Sequence, residues 1–301
     1  MRVAVTGANG RLGRALVAAL ADAPFTGPGG PIAWTRTDFD LDAPDDVGTI
    51  LDRDRAEVVV HAAAWTDVDG CARDPDLAIG RNAVATGHLA IACATRGLDL
   101  LVISTNEVFD GRRTDGRPYA IDEPLSPGNS YGASKAMGEQ VARDAFLNRR
   151  GMVGIVRSSW LYGPPGNDFP TKILAAADRA TAAGEPLRVV GDEFGSPTFT
   201  HDLAEAIVDL LGAGEVRGVH HVVNSGVASR AGWARELFRQ VGHDVTIEEV
   251  PSSTWQREST PPPWGVLEPT PLPSGEPLRP WQAALADYVP MLVRQRAAAA
   301  R

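Results

Sequence analysis

The first residues, Arg2-Val3-Ala4-Val5-Thr6, run directly into Gly7-Ala8-Asn9-Gly10-Arg11-Leu12-Gly13, and this succession decides the fold. Arg2–Thr6 reads as a short apolar strand. Beyond the turn, Leu12, Leu16, Val17 and Leu20 recur at helical period, so the chain passes from strand through a glycine turn into a helix. Gly7 permits the tight turn, Gly10 lets the backbone approach a pyrophosphate, and Gly13 lets helix and strand pack closely. The spacing departs from GxGxxG, with two residues between successive glycines. Its place between strand and helix nevertheless predicts a dinucleotide seat, where free N–H groups and the positive end of the helix dipole face phosphates.

The pattern repeats outward from there. Ile32–Thr35, Glu57–His61, Leu98–Ser104 and Val153–Ser158 read as strands; Val47–Leu51, Leu77–Arg96 and a segment beginning near Tyr131 read as helices. Strands and helices alternating at this length predict right-handed βαβ units and a parallel sheet, an α/β fold. After Trp160 the alternation weakens: helices are expected at Pro170–Ala183, Asp202–Leu211 and Trp233–Gln240, and strands at Leu187–Val190 and His220–Val223. Pro251–Pro280 holds nine of the 23 prolines and should wrap extended over the surface. A helix begins near Trp281, and the Ala/Arg tail from Arg294 is expected to fray.

Composition narrows the function. A chain of 301 residues with 44 % hydrophobic content can bury a large core, here one continuous unit with two lobes. A net charge of −9 argues against a nucleic-acid or membrane-surface binder. No apolar run reaches the roughly 18 residues of a membrane span, and no signal peptide precedes the first strand, which points to a cytoplasmic protein. Cys71 and Cys93 lack CxxC spacing and suit a reducing compartment. His61, His201, His220 and His221 show no metal-ligand spacing, so no metal site is expected.

Only two lysines and four tyrosines occur, yet Tyr131 and Lys135 stand four apart. Chance would produce one such spacing about 3 % of the time. On a helix the pair shares one face. A phenol has a pKa near 10, and an adjacent ammonium would lower it toward neutrality, making Tyr131 a proton carrier. Ser104 and Thr105 close the strand at its carboxyl edge, where parallel sheets place ligands, and a hydroxyl there can bind a carbonyl oxygen. At the end of the second strand stand Thr35 and Arg36. Arg36 favours NADPH over NADH by accommodating a 2′-phosphate; an inward-turned Asp38 is the alternative.

Together with these segments, Ala62-Ala63-Ala64-Trp65-Thr66-Asp67, Ser104-Thr105-Asn106-Glu107, Arg157-Ser158-Ser159-Trp160, Gly195-Ser196-Pro197-Thr198 and Leu278-Arg279-Pro280-Trp281 give the chain a resemblance over nearly its whole length. It resembles the extended short-chain dehydrogenase/reductases, and within them the dTDP-4-dehydrorhamnose reductase family. The resemblance implies a Rossmann-type doubly wound parallel sheet in residues 1–159, with a contribution from about 187–212, and a smaller C-terminal substrate lobe in residues 160–301. It implies hydride transfer to C4 of a nucleotide-linked deoxyhexose. Thr105 and Tyr131 would bind the C4 oxygen, and Lys135 would also hold the nicotinamide ribose. Gly7, Asn9, Gly10 and Gly13 would form the cofactor turn, Arg11 and Leu12 would line the pyrophosphate, Asp40 and Leu41 the adenine, Ala62, Ala63 and Ala64 the ribose side, and Trp160 the sugar.

Some residues depart from the family. Asn106-Glu107 stands where Asp-Tyr is common, and Glu107 would contact substrate in the tyrosine's place or face solvent. A dehydratase needs an acid where Asn106 has no proton to give, which disfavours dehydration. Glu193 replaces a usual glutamine, and Pro261-Pro262-Pro263-Trp264 lacks an arginine of the family's nucleotide loop, leaving Arg157 and Arg179 as candidate diphosphate partners. The expectation is an NAD(P)H-dependent reductase of dTDP-4-dehydro-L-rhamnose, with a homodimer allowed. A reductase or epimerase for another nucleotide sugar, or a non-catalytic cofactor-bound regulatory subunit, stand as alternatives.

Overall fold

The computed structural model describes residues 1–299. Strand β1 (Val3–Thr6) leads into α1 (Arg11–Ala21), followed by β2 (Ile32–Trp34), α2 (Val47–Asp54) and β3 (Val58–His61). Two short helices, α3 (Val68–Arg73) and α4 (Pro75–Ile79), precede a π-helical turn at Gly80–Val84 and then α5 (Ala85–Arg96). Next come β4 (Asp99–Thr105), α6 (Ser130–Ala145) and β5 (Val153–Ser158). The remainder holds β6 (Leu161–Tyr162), α7 (Phe169–Ala183), β7 (Leu187–Val190), β8 (Phe194–Gly195), β9 (Thr198–Phe199), α8 (Thr200–Ala213), β10 (Gly218–His221), β11 (Ala228–Ser229), α9 (Arg230–Val241), β12 (Ile247–Val250) and α10 (Trp281–Ala299).

Six strands form one sheet in the order β10-β5-β4-β3-β1-β2, every pair parallel. Its central strands are largely apolar, as a sheet covered on both faces requires: Val3, Ala4 and Val5 are buried, as are Val58, Val59 and Val60. One face is covered by α1 and α8, with Leu16, Leu20, Leu203 and Ile207 against Val3, Val5 and Val60. The other carries α2, α5 and α6, with Leu51, Leu89 and Ala142 against Ala4, Val59 and Leu100. This is a doubly wound α/β fold. From β1 the connections run to β2 on one side and then to β3 on the other, opening a crevice at the carboxyl ends of β1 and β3 where such sheets bind ligands.

A second core joins α7, α9 and α10 through Leu174, Trp233, Leu237, Trp281, Leu285 and Tyr288, beside the small sheets β7-β12, β8-β11 and β6-β9. The segment around 187–212 divides between the two cores. Strand β7 pairs with β12 outside the main sheet, α8 packs on α1, and β10 beyond it adds the sixth strand. That strand is Gly218–His221, two residues earlier than the apolar pattern suggests, because His220 and His221 align with Val156 and Arg157 of β5. The single helix expected over 77–96 is interrupted at Gly80–Val84. The tail expected to fray from Arg294 is helical through Ala299, with Arg296 paired to Asp178; its residues 300 and 301 lie outside the described residues. Residues 251–280 run irregularly apart from a 3₁₀ turn at Ser252–Thr254. Among the described residues no helix is long and apolar enough to cross a membrane.

Candidate active site

Gly7 adopts φ +65°, and a Cβ there would lie 2.9 Å from Ala63 Cα; the turns after β1 and β3 therefore meet backbone to backbone. At Gly13 a Cβ would fall 2.1 Å from the Gly7 carbonyl oxygen, so any larger residue would push α1 off the turn. Gly10 caps α1 without a side chain, and no acidic residue sits in the first turn, leaving the leading N–H groups of the helix for an anion. A cleft of about 290 Å³ opens here, lined by Gly7, Gly10, Arg36, Asp40, Leu41 and Ala62–Ala64, and also by Phe39, Trp65 and Arg81, which the sequence reading missed. A narrow glycine floor, free N–H donors and a cation at the rim fit a dinucleotide.

Arg36 is largely exposed and donates to Asp40 and to Asp42 at 2.9 Å. Arg81 grips Asp42 with two bonds of 2.6 and 2.8 Å, holding its carboxyl below the usual range. Asp38 does not turn inward: its carboxylate accepts from the Thr35 N–H and hydroxyl at 3.0 and 3.1 Å. The Arg11 guanidinium points away from the turn, donating to the carbonyls of Leu161, Gly166 and Asn167. Only the main chain of Arg11 is left to line a pyrophosphate.

Tyr131 is the second residue of α6, which Asn129 caps by accepting from Gly132 N at 2.8 Å. A Cβ at Gly132 would lie 2.0 Å from the Glu107 carbonyl oxygen, so the helix starts in direct contact with the turn after β4. That contact sets Tyr131 on the side of the site where Thr105 ends β4. One turn on, Lys135 is buried, and burial pushes its ammonium down to about 8 while Glu139 opposes the fall. The expected acidification of the phenol is not found. Burial pushes Tyr131 up, Glu107 adds to the rise, and only the Thr105 hydrogen bond counters it. Lys135 instead acts on His61, which burial holds neutral, down to about 3.

Ser104 does not face the cleft, since it donates to Glu139 at 2.6 Å. Glu139 also accepts two bonds from Arg157, at 2.9 and 2.8 Å, and both residues are fully buried. Arg157 is therefore removed as a diphosphate partner. Arg179 is exposed on α7. The π-helical turn supplies Asn82, whose side chain accepts from Trp65 N at 2.8 Å and donates to Ser134 at 3.0 Å. It ties the loop after β3 to α6.

On the C-terminal side, Trp160 has φ +47° and stacks on Trp233 with centroids 5.8 Å apart. The Arg230 guanidinium lies 3.6 Å from the Trp160 ring centroid, and a Cβ at Gly195 would meet the indole at 2.6 Å. The ring is packed among these groups rather than standing as an open platform. Glu107 is half-buried; its carboxylate accepts from Asn129 at 2.7 Å, and burial pushes it up. Glu193 is buried against Arg257 at 3.1 Å and Arg230 at 3.5 Å. Arg230 and Arg257 are the cations the sequence reading missed, since neither sits in a recognisable motif. The proline-rich segment hangs over the cleft by bonds from Asn129 to Thr260 O, Asn106 to Gly265 O and Ser259 N to Asp69.

A doubly wound parallel sheet, a glycine turn at its switch point and a Tyr131/Lys135 helix facing Thr105 define an extended short-chain dehydrogenase/reductase. Residues 1–293 match the family described as RmlD substrate binding domain, and the chain belongs to it. It is 36 % identical over 296 residues to a dTDP-4-dehydrorhamnose reductase of Mycolicibacterium smegmatis, covering 97 % of this chain and 86 % of the relative. It is 37 % identical over 292 residues to a dTDP-4-keto-6-deoxy-D-glucose reductase of Streptomyces niveus, covering 96 % of each. The crystal structure of a dTDP-4-dehydrorhamnose reductase from Bacillus anthracis in complex with NADP superposes with a TM-score of 0.83 at 29 % identity, covering 96 % of this chain and 99 % of that one.

Proposed function

We propose that this chain is an NAD(P)H-dependent reductase of the C4 keto group of a nucleotide-linked 4-keto-6-deoxyhexose, with dTDP-4-dehydro-L-rhamnose the first substrate to test. The observation that carries the reading is the packing of the start of α6, with Tyr131, against the turn that follows Thr105 at the carboxyl edge of the sheet. Gly7, Asn9, Gly10, Leu12 and Gly13 would hold the pyrophosphate through main-chain groups, Asp40 and Leu41 the adenine side, and Ala62–Ala64 the ribose. Arg36 at the rim favours NADPH. When bound, the reduced nicotinamide supplies the hydride.

The chain's own residues manage the proton. A phenol pushed up by burial keeps its proton at neutral pH, as a reduction requires, and Tyr131 delivers it to the C4 oxygen. Thr105 hydrogen-bonds the same oxygen and fixes its approach. Lys135, one turn along α6 and still mostly charged at pH 7, would hold the nicotinamide ribose. Residues 160–301 would supply most of the sugar-nucleotide side, with Arg230 and Arg257 beside Trp160 and Glu107. Asn106, Glu107 and Glu193, where the dTDP-4-dehydrorhamnose reductases commonly carry other residues, favour a different dTDP-linked 4-keto-6-deoxyhexose as the second reading. Both buried cysteines are free, which suits work in the cytoplasm.

Loss of NADPH absorbance with a panel of nucleotide 4-keto sugars tests the assignment. Tyr131→Phe should cut turnover at least about a hundredfold with cofactor affinity nearly unchanged. Intact turnover in that variant would remove the phenol as the acid.

A further inference from the structure

We propose that Glu193 is a positioning residue for substrate recognition, holding Arg230 and Arg257 together as a receptor for the diphosphate of the nucleotide sugar; this rests on the nucleotide-sugar reading above. Glu193 lies between β7 and β8 and is 2 % exposed. A carboxylate buried so deeply needs charge partners. Its Oε1 accepts from Arg257 Nη1 at 3.1 Å, and its Oε2 lies 3.5 Å from Arg230 Nε. Its main-chain carbonyl also accepts from Arg230 N at 3.2 Å, so the same residue seats the start of α9.

The two arginines come from unrelated places. Arg230 opens α9, whereas Arg257 lies on the irregular proline-rich segment, where no regular element holds its backbone. A shared carboxylate gives both guanidinium groups a common anchor. Arg257 hydrogen-bonds it and Arg230 faces it as an ion pair, leaving their other N–H groups for a second anion, and two adjacent planar cations match a diphosphate better than a single phosphate.

Location supports the same conclusion. Arg230 lies over Trp160. The Arg230 charge reaches Glu107, and Glu107 in turn acts on Tyr131, so Arg230 faces the side of the site that carries the phenol. Side-chain exposures of 24 % for Arg230 and 35 % for Arg257 leave both open to a ligand. The diphosphate is carried on C1, across the sugar ring from C4, so an anion held there would align the C4 carbonyl from a distance, converting remote binding energy into orientation.

Calorimetric titration of the full-length protein with dTDP and with dTMP tests the proposal. Wild type should prefer dTDP by at least about tenfold. Glu193→Ala should reduce that preference to within about threefold while NADPH affinity stays unchanged, an outcome that general destabilisation would not give. Glu193→Gln, which keeps an acceptor oxygen, should restore part of the preference. Arg257→Ala, on the outer segment, should lose it as Glu193→Ala does, and the double variant should lose little more. Retention of the wild-type preference by Arg257→Ala, or by a folded Glu193→Ala, would overturn the assignment while leaving the nucleotide-sugar reading intact. A wild type indifferent between dTDP and dTMP would instead remove the nucleotide-diphosphate reading, and this assignment with it.

Discussion

Replacing Gly132 by alanine should separate catalysis from cofactor binding without altering any reacting group. The new methyl would begin 2.0 Å from the Glu107 carbonyl oxygen and 3.2 Å from Pro127 Cβ. An ordinary carbon-to-oxygen contact needs about 3.3 Å, so the start of α6 must retreat by about 1.3 Å or the turn after β4 must yield as much. Alanine gains about 1 kcal/mol of helix propensity, and crowding of this kind costs about 1–3 kcal/mol, leaving net stability changed by at most about 2 kcal/mol. Catalysis is less tolerant, because Tyr131 and Thr105 sit on the two elements being driven apart. A misplacement of about 1 Å can cost about a hundredfold in rate. Steady-state kinetics should therefore show kcat down by about two orders of magnitude, with the dissociation constant for NADPH nearly unchanged and the urea midpoint only modestly lower. A folded variant with kcat within about threefold of wild type would refute the claim that this contact sets the Thr105–Tyr131 geometry.

Arg36→Ala should raise KM for NADPH by about tenfold with little effect on NADH; equal effects on both cofactors would remove the 2′-phosphate assignment. Because burial brings Lys135 down to about 8, its charge is present below that pH and lost above it, so reductive kcat should decline as pH rises through about 8. A flat profile between pH 7 and 9 would show that the ammonium is not required. His61 and His221 are buried and held near 3, below the ordinary value of about 6.5. Their contribution is present above about pH 6.5 and lost as pH falls toward 3, at about 2 kcal/mol per histidine between pH 6.5 and 5. Urea midpoints at pH 7 and 5 measure this, and equal midpoints would contradict it.

The glycine turn was legible in the sequence because its chemistry is local: a left-handed Gly7 and a Cβ-free Gly13 are needed whatever lies elsewhere. The Tyr131/Lys135 spacing was legible for the same reason, one helical turn fixing the shared face. The electrostatics of that pair were not. Spacing places an ammonium near a phenol, but how far each is removed from water depends on Thr105, Glu107 and the segment beyond residue 251. Desolvation, which no pattern records, raises the phenol, and the charge that adds to it is that of Glu107. Arg157 had the right type and a plausible position, yet Glu139 claims it inside the fold. Arg230 and Arg257 escaped notice because Glu193 joins them only in three dimensions. The break at Gly80–Val84 was likewise hidden, since the bonds that place Asn82, from Trp65 N and to Ser134, come from elements distant in sequence.

The grip of Arg11 on the carbonyls of Leu161, Gly166 and Asn167 bears on how such a chain can diversify. Every acceptor in that clasp belongs to the main chain, so it depends on the path of the loop and is indifferent to which side chains the loop carries. The half that seats the coenzyme can thus remain docked to its neighbour while residues near Trp160 are rewritten by mutation. A graft that preserves the length of the 161–167 loop should be accepted without any compensating change in α1, giving evolution or a protein engineer a ready-made seam along which new sugar preferences can be exchanged.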